Sequence, residues 1–191
     1  MKNYDVTALG ELLIDFTENG MSAQGNPLFE ANPGGAPCNV LAMLSRLGHR
    51  TSFIGKVGKE VTEVGIHADS LYMDEEVHTT LALVHTYPDG DRDFSFYRNP
   101  GADMMLTEAE IPAEQIREST IFHFGTLSMT HEGVRAATRK AVGIARESGV
   151  VVSFDPNLRP PLWKSLDDAR EQVRYGLAHC DVLKISDNEI Q

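Results

Sequence analysis

The chain has 191 residues and a formal net charge of −11, with 17 Lys and Arg against 28 Asp and Glu. That balance argues against nucleic-acid binding, because a phosphate backbone is bound by clustered cations. The apolar share is 41%, no apolar run is long enough to span a membrane, and no signal-peptide pattern is present. We therefore expect a soluble, cytoplasmic protein with a hydrophobic core.

Eight short apolar or alternating runs predict β-strands. They lie at residues 5–9, 12–16, 51–57, 80–87, 93–97, 121–124, 150–154 and 182–185. The runs at 80–87 and 93–97 alternate around Pro88-Asp89-Gly90-Asp91, a turn sequence typical of a β-hairpin.

Three stretches between these strands predict helices. The first runs from Ala36 to Leu47 with Gly48 as its C-terminal stop, the second has Thr130 as its N-cap and Gly149 just past its end, and Ser165 caps the third. The residues expected to face the core are Val40, Met43, Leu44 and Leu47 in the first helix, Val134, Ala137, Ala141, Ile144 and Ala145 in the second, and Leu166, Ala169, Val173 and Leu177 in the third.

Continuous apolar strands that alternate with helices predict an α/β fold with a parallel sheet covered on both faces. The hairpin-rich segments at 12–32 and 79–98 do not fit that alternation, and they predict a small antiparallel appendage. In open α/β sheets, ligands bind at the carboxyl ends of the strands. Polar residues follow the predicted strands there, and we expect a binding cleft from Glu11, Asp155, Asn157, Arg159, Ser186 and Glu189.

Several motifs that define other enzyme classes are absent from the sequence. It contains no dinucleotide-binding Gly-x-Gly-x-x-Gly, no P-loop and no nucleophile elbow. The seven histidines are scattered, and Cys38 and Cys180 form neither a disulfide framework nor a metal-ligand cluster. We expect both cysteines to pack as small apolar side chains.

The most informative segment runs from residue 32 to residue 39. Gly34 and Gly35 allow the backbone to approach a ligand closely, and the helix that follows presents its N-terminal amides. Asn39 lies in the first turn, where a side-chain amide can both donate and accept hydrogen bonds. The alternative is a plain loop in which the turn alone requires the two glycines.

Several motifs together resemble the ribokinase/PfkB family of sugar kinases. Gly-Gly-Ala-Pro-Cys-Asn at residues 34–39, Arg-Leu-Gly at 46–48 and Phe-Ile-Gly-Lys-Val-Gly at 53–58 resemble the family's first signature. Gly-Glu-Leu-Leu-Ile-Asp-Phe at 10–16 resembles its opening strand. Residues 94–103 and 155–163 are similar to its bacterial fructokinase branch.

The resemblance implies a ribokinase-like, Rossmann-like parallel sheet flanked by helices. Residues 1–191 would be the N-terminal part of that domain, with a small antiparallel β lid inserted at about 12–33 and 79–98. Family members use ATP and Mg²⁺ to phosphorylate a sugar hydroxyl, and they commonly form homodimers through the lid. The expected partners are therefore a sugar and ATP, with a second copy of the chain at the lid.

The resemblance also implies which residues bind the sugar. Asp15 matches a carboxylate that accepts hydrogen bonds from sugar hydroxyls, and Gly34, Gly35 and Asn39 match residues that line the same site. Arg98 matches a lid-strand arginine that reaches the substrate in the related 2-keto-3-deoxygluconate kinases. Phe96 stands where those kinases often have Tyr, which favours a neutral sugar.

Two further residues match positions near the transferred phosphoryl group. Arg159 matches a catalytic arginine between sugar and phosphates, and the alternative is a surface ion pair with Asp167 or Asp168. Glu189 matches the last position of the family's Asn-x-x-Glu motif, with Ser186 in place of Asn. It would help organise Mg²⁺ and the nucleotide phosphates through water, although an exposed glutamate in a first helical turn is the alternative. No residue is assigned as a direct metal ligand.

Two departures from the family pattern affect the predicted activity. The Gly-Ala-Gly-Asp motif, which supplies the family's general base and anion hole, is absent, so the sequence corresponds to the N-terminal portion only. The segment after Glu60 is also too short for the helix that the family has there. Two alternatives to a fructokinase therefore stay open: a non-catalytic sugar-binding remnant, and another kinase of the family, such as a 2-keto-3-deoxygluconate kinase or a ribokinase.

Overall fold

Two β-sheets organise the protein. The computed structural model describes residues 2–64, 70–87, 89 and 92–190. The strands are β1 Tyr4–Leu9, β2 Leu13–Met21, β3 Pro27–Gly34, β4 Thr51–Gly58, β5 Ser70–Asp74, β6 Leu81–Thr86, β7 Arg92–Tyr97, β8 Ser119–Gly125, β9 Val151–Asp155 and β10 Val182–Leu183. The α-helices are α1 Ala36–Arg46, α2 Ala113–Arg117, α3 Glu132–Glu147 and α4 Leu166–His179.

The large sheet has six strands in the order β10-β9-β8-β1-β4-β5, and every neighbouring pair is parallel. β1 lies inside this sheet, with Ala8 opposite Phe53 of β4 on one side and His123 of β8 on the other. Apolar side chains on both faces of the strands bury against helices. Phe122, Phe124 and Phe154 pack with residues of α3 and α4 on one face, and Val6, Ala8 and Phe53 pack with α1 on the other. The predicted parallel sheet is confirmed.

The small sheet has four strands in the order β3-β2-β6-β7. The two predicted hairpins are present, since β2 pairs antiparallel with β3 and β6 with β7. The two hairpins join through β2 and β6, which run parallel, with Ile14 opposite Leu81. The small sheet is therefore mixed rather than purely antiparallel, because the first strands of both hairpins run in the same direction. Residues 88, 90 and 91 of the predicted turn lie outside the described residues.

Between β4 and β5, the described residues form a 3-10 helix at Lys59–Val64. Residues 65–69, which complete the segment after Glu60, lie outside the described part of the chain. Among the helices of that part, none has the length and apolar character needed to cross a membrane.

The predicted inward face of α1 is wrong at two positions. Pro37 and Leu41 are buried, and Leu44 packs against the same core cluster, whereas Met43 is 57% exposed and Leu47 is 67% exposed. Apolar residues cover more than one side of this helix, so the periodicity does not decide which side meets β1 and β4.

The inward face of α4 also differs from the prediction. Its buried residues are Ala169, Gln172 and Gly176, while Leu166 and Leu177 are exposed. Gly176 packs against the ring of Phe154 on β9, so closely that a Cβ on Gly176 would overlap this ring. The helix turns its glycine toward that ring and its two leucines away.

The helix caps agree with the prediction except at the start of α3. Ser165 Oγ accepts a hydrogen bond from the Asp168 amide at 3.1 Å, as expected of an N-cap. Gly149 follows α3 with a φ of 67°, which suits a glycine past a helix end. The N-cap of α3 is His131 rather than Thr130, because the Thr130 hydroxyl donates to the Leu127 carbonyl and accepts from Arg98.

Candidate functional site

A cavity of about 320 Å³ lies between the small sheet and the carboxyl ends of the large-sheet strands. Its walls come from the segments after β1, β9 and β10, from the N-terminus of α1, and from β2, β6 and β7. The predicted cleft is therefore present where parallel strands end. The cavity is lined by Glu11, Leu13, Asp15, Thr17, Gly35, Ala36, Asn39, Val84, Phe94, Phe96, Leu127, Asp155, Asn157, Arg159 and Lys184.

The structure brings four of the predicted site residues to this cavity. They are Asp15, Gly35, Asn39 and Arg159. Gly34 lies directly behind Asp15, because a Cβ on Gly34 would overlap the Asp15 carboxylate. Arg98 and Glu189 do not line the cavity.

The glycine loop packs tightly against the segment after β1. Gly35 is the N-cap of α1 and has a φ of 113°, a conformation that side chains rarely adopt. A Cβ on Gly35 would overlap the main-chain oxygen of Glu11. Contacts within the protein therefore require both glycines, which agrees with the alternative of a plain loop. Gly35 also lines the cavity, which agrees with a role in ligand binding.

Asp15 and Asn39 face the cavity from different elements. Asp15 lies on β2, opposite Asn32 of β3 and Ala82 of β6, and its side chain is half-buried. Asn39 lies in the first turn of α1, and its main-chain amide donates to the Gly35 carbonyl at 3.0 Å. Both residues line the cavity, so a carboxylate and a side-chain amide are available to one ligand.

Arg159 follows β9 and leans toward the small sheet. Its Nη1 donates to the Leu158 carbonyl at 3.2 Å, and its guanidinium lies 5.7 Å from the centre of the Phe94 ring on β7. The alternative ion pairs are not formed, because Asp168 accepts from Arg135 and Asp167 accepts from Arg170. The guanidinium of Arg159 is thus held at the cavity wall by a carbonyl and an aromatic ring.

A second cation, Lys184, also lines the cavity. Its Nζ lies 3.1 Å from Oδ2 of the buried Asp155, and Asp155 Oδ1 accepts a hydrogen bond from the Asn157 amide at 3.2 Å. The sequence reasoning missed Lys184 because it assigned residues 182–185 to a strand. The available signal was its position at the carboxyl end of that strand, where site residues collect.

Glu189 braces the loop that carries Arg159. Its Oε1 accepts from the Leu158 amide at 2.6 Å, and its Oε2 accepts from the Ser186 amide and hydroxyl at 3.0 and 2.5 Å. Burial alone would raise the pKa of Glu189, but the hydrogen bonds from Ser186 and Leu158 outweigh it and lower that pKa. Glu189 lies in the first turn of a 3-10 helix at Asp187–Glu189 and links the segments after β9 and β10.

Arg98 is buried at the end of β7, with 3% of its side chain exposed. Its Nε and Nη2 donate to Asp103 Oδ2 at 2.8 and 2.6 Å, its Nη1 donates to Thr130 Oγ1 at 2.8 Å, and Nη2 also reaches the Leu127 carbonyl at 2.9 Å. These partners tie the end of the small sheet to the segment before α3. The substrate contact predicted for Arg98 stays a prediction.

Glu11 is a buried acid in the cavity wall, with 3% of its surface exposed. Its Oε1 accepts a hydrogen bond from the Ala36 amide at 2.8 Å. Burial raises the pKa of Glu11 to about 7, although hydrogen bonds from its own amide and from Ala36 oppose that rise. The sequence reasoning placed Glu11 in the cleft and gave it no role.

The described residues do not supply a complete magnesium site. No group of three or more His, Cys, Asp or Glu side chains among them is arranged to hold a metal ion. Both carboxylate oxygens of Glu189 accept hydrogen bonds from the protein. The expected Mg²⁺ therefore finds no ready set of ligands in this part of the chain.

Comparison with known proteins gives consistent matches along the chain. The family model described as pfkB family carbohydrate kinase matches residues 3–191. The "Fructokinase-2" of Solanum habrochaites is 42% identical over 97% of this chain, which spans 60% of that protein. The crystal structure of a fructokinase from Xylella fastidiosa is 31% identical with a TM-score of 0.86, and the match covers 98% of this chain and 61% of that one.

A third similar protein is described with its ligands. The structure of a putative ribokinase II from E. coli in complex with ATP and Mg²⁺ is 25% identical, with a TM-score of 0.82. That match covers 98% of this chain and 63% of the other. The chain thus spans about 60% of the length of the proteins that it resembles.

Proposed function

The chain belongs to the pfkB family of carbohydrate kinases, and we propose that it forms the sugar-side part of an ATP-dependent fructokinase. The complete enzyme would transfer the γ-phosphoryl group of ATP to a hydroxyl of a ketohexose. One observation carries the proposal: Asp15 on β2, Gly35 and Asn39 at the start of α1, and Arg159 after β9 come from three separate segments and line the same cavity.

The lining residues suit a neutral, hydroxyl-rich ligand. The Asp15 carboxylate accepts hydrogen bonds from hydroxyl donors, and the Asn39 amide both donates and accepts them. Gly34 and Gly35 let the loop pass close behind Asp15 and beside the ligand. The cavity volume of about 320 Å³ lies at the small end of the range for ligand sites, roughly 300–1,000 Å³.

Arg159 and Lys184 would act on the phosphoryl group. Both cations line the cavity, and positive charge placed where negative charge develops is the main catalytic device in phosphoryl transfer. Glu189 would hold Arg159 in place through the Leu158 amide. Mg²⁺, when bound to ATP in the complete enzyme, would neutralise phosphate charge, and its ligands would come from the nucleotide and from beyond these residues.

The general base is not among the motifs in these residues. Since the chain spans 60% of the Solanum fructokinase, we expect the base and most of the nucleotide contacts to come from the remaining length. The 191-residue chain by itself would then bind a sugar without phosphorylating it. This second candidate function is favoured by the same cavity, which sugar-side residues line.

Phe94 and Phe96 of β7 bear on the choice of sugar. Both rings line the cavity, and neither carries a hydroxyl. Neither ring offers a hydrogen-bond donor to the carboxylate of a keto-acid, whereas a tyrosine at position 96 would offer its hydroxyl. We therefore propose a neutral ketohexose rather than 2-keto-3-deoxygluconate.

Titration calorimetry with fructose tests the sugar site on the 191-residue chain. We expect binding by the wild type, and its loss in Asp15→Asn, which keeps the size of the side chain and removes the charge. Glu18→Gln is the matched control, because Glu18 lies on the same strand outside the cavity lining. Equal affinity in Asp15→Asn and the wild type, or tighter binding of ribose than of fructose, would contradict the proposal.

Catalysis is tested on a chimera that joins residues 1–191 to the remaining part of the Xylella fructokinase. We expect fructose-dependent release of ADP, and a lower kcat in Arg159→Lys, because Lys cannot reproduce the planar guanidinium. Sugar binding by the chain without any activity of the chimera would support the non-catalytic alternative.

A further inference from the structure

Glu11 caps a helix that begins 25 residues later in the sequence. Gly35 is the N-cap of α1, and glycine has no side chain to accept a hydrogen bond from the first turn. Glu11 Oε1 takes that place by accepting from Ala36, the first residue of α1, at 2.8 Å. A carboxylate at this end of a helix also interacts favourably with the helix dipole.

The main chain of Glu11 contacts the same loop. Its carbonyl oxygen occupies the space into which a Cβ on Gly35 would project. Cys38 Sγ, one turn into the helix, donates to that oxygen at 3.5 Å. Glu11 therefore touches the loop through its side chain at Ala36 and through its main chain at Gly35 and Cys38.

Charged groups surround Glu11 on its other sides. Asp103 disfavours the ionised carboxylate, and Arg98, which is paired with Asp103, favours it. His123 of β8 and Asp155 of β9 share a small cavity with Glu11 beneath the main one.

Three further charged side chains line the main cavity together with Glu11. They are Asp15 of β2, Arg159 after β9 and Lys184 after β10. Glu11 thus lies between the glycine loop and the charged part of the cavity wall.

We propose that Glu11 is a positioning residue of the sugar site, whose ionised carboxylate holds the Gly34–Gly35 loop and Asn39 in the binding conformation through the Ala36 amide and whose protonation weakens this hold. The proposal rests on the proposed function for the identity of the ligand. A charge-assisted hydrogen bond is about twice as strong as a neutral one, so protonation weakens the hold on the Ala36 amide.

The consequence is a sugar affinity that depends on pH in the neutral range. Burial raises the pKa of Glu11 to about 7, so the ionised share falls from about nine-tenths at pH 8 to about one-tenth at pH 6. The apparent affinity falls in proportion to the share of the competent form, which gives about a tenfold weaker Kd at pH 6. Burial lowers the pKa of His123 below its ordinary value of 6.5, and the variant His123→Gln separates its titration from that of Glu11.

Two measurements on the 191-residue chain test the proposal. The first follows the Ala36 amide by ¹H–¹⁵N NMR from pH 5.5 to pH 8.5, without sugar. The second measures the Kd of fructose by calorimetry at pH 6, 7 and 8. Both are repeated on Glu11→Gln, which keeps an acceptor for Ala36 but does not titrate, and on His123→Gln as the matched control.

We expect the Ala36 amide to titrate with a midpoint near 7 in the wild type and in His123→Gln, and to be flat in Glu11→Gln. In the wild type and in His123→Gln, the Kd of fructose should be about tenfold higher at pH 6 than at pH 8. In Glu11→Gln, it should equal the pH 6 value of the wild type at every pH. A pH dependence that survives in Glu11→Gln, or an Ala36 amide that does not titrate in the wild type, overturns the role of Glu11. A titrating amide with no fructose binding at any pH instead overturns the proposed ligand and supports the control of the loop by Glu11.

Discussion

Glu11→Gln is expected to change the pH dependence of folding in a direction opposite to that of most carboxylates. Burial raises the pKa of Glu11 from its ordinary value of 4.5 to about 7 in the folded protein. Between these values the folded state binds a proton that the unfolded state has released. The stability contributed by this proton is fully present below pH 4.5 and is lost as the pH rises through 7.

The size of the effect follows from the two pKa values. One pKa unit corresponds to about 1.36 kcal/mol, so the Glu11 carboxyl should destabilise the fold by roughly 2.5 kcal/mol more at pH 8 than at pH 5. Glutamine has nearly the same shape, can accept from the Ala36 amide and carries no charge at either pH. Comparing Glu11→Gln with the wild type at both pH values therefore cancels any constant difference between the two side chains.

Urea unfolding at pH 5 and pH 8, followed by circular dichroism, measures this difference in the free energy of unfolding. The gain of Glu11→Gln over the wild type should be about 2.5 kcal/mol larger at pH 8 than at pH 5. Glu147→Gln serves as the control, since Glu147 is exposed at the end of α3, and its substitution should not reproduce this difference. If the free energies of unfolding of Glu11→Gln and the wild type differ by the same amount at both pH values, Glu11 does not carry a raised pKa and the reasoning is refuted.

The remaining predictions concern the glycine loop and the anchor of the small sheet. Gly35→Ala should weaken fructose binding in calorimetry and lower the free energy of unfolding by at least about 2 kcal/mol, because of its φ of 113° and the Glu11 oxygen. Gly143→Ala in α3 is the control, where a Cβ meets no atom within 4 Å and a gain of about 0.5–1 kcal/mol is expected. Arg98→Met should cost about 3–5 kcal/mol in urea unfolding, because it leaves the Asp103 carboxylate buried without its cation. The double variant Arg98→Met with Asp103→Leu should recover part of that loss, and no recovery would contradict the assignment of a buried pair.

The sequence predicted those features that depend on local pattern. Alternation at residues 80–87 and 93–97 identified a hairpin, and Ser165 identified the start of α4, because neighbouring residues determine a strand period and a helix cap. The inward face of α4 was mispredicted because it depends on the ring of Phe154, which comes from a strand before the helix. Lys184 was missed for a similar reason, since its role at the cavity comes from the position of β10 beside β9.

Arg98 shows how a resemblance and a structure can assign different tasks to one side chain. The motif led us to expect a substrate contact, but the donors of Arg98 are taken up by Asp103, Thr130 and the Leu127 carbonyl. Two charged residues five positions apart resemble a surface pair in the sequence, and only the fold buries them together.

The buried position of Arg98 nevertheless matters for the cavity, because Arg98 directly follows β7 and is anchored by Asp103, Thr130 and the Leu127 carbonyl. Four residues earlier, Phe94 of the same strand meets the guanidinium of Arg159. Leu127, whose carbonyl accepts from Arg98, is itself a lining residue of the cavity. The cavity lies between the small sheet and the large one, so the contacts of Arg98 hold the end of β7 on the side of the cavity that Phe94 lines. Arg98 therefore contributes to the site by holding the strand that closes it, and this contribution requires no contact between Arg98 and the sugar.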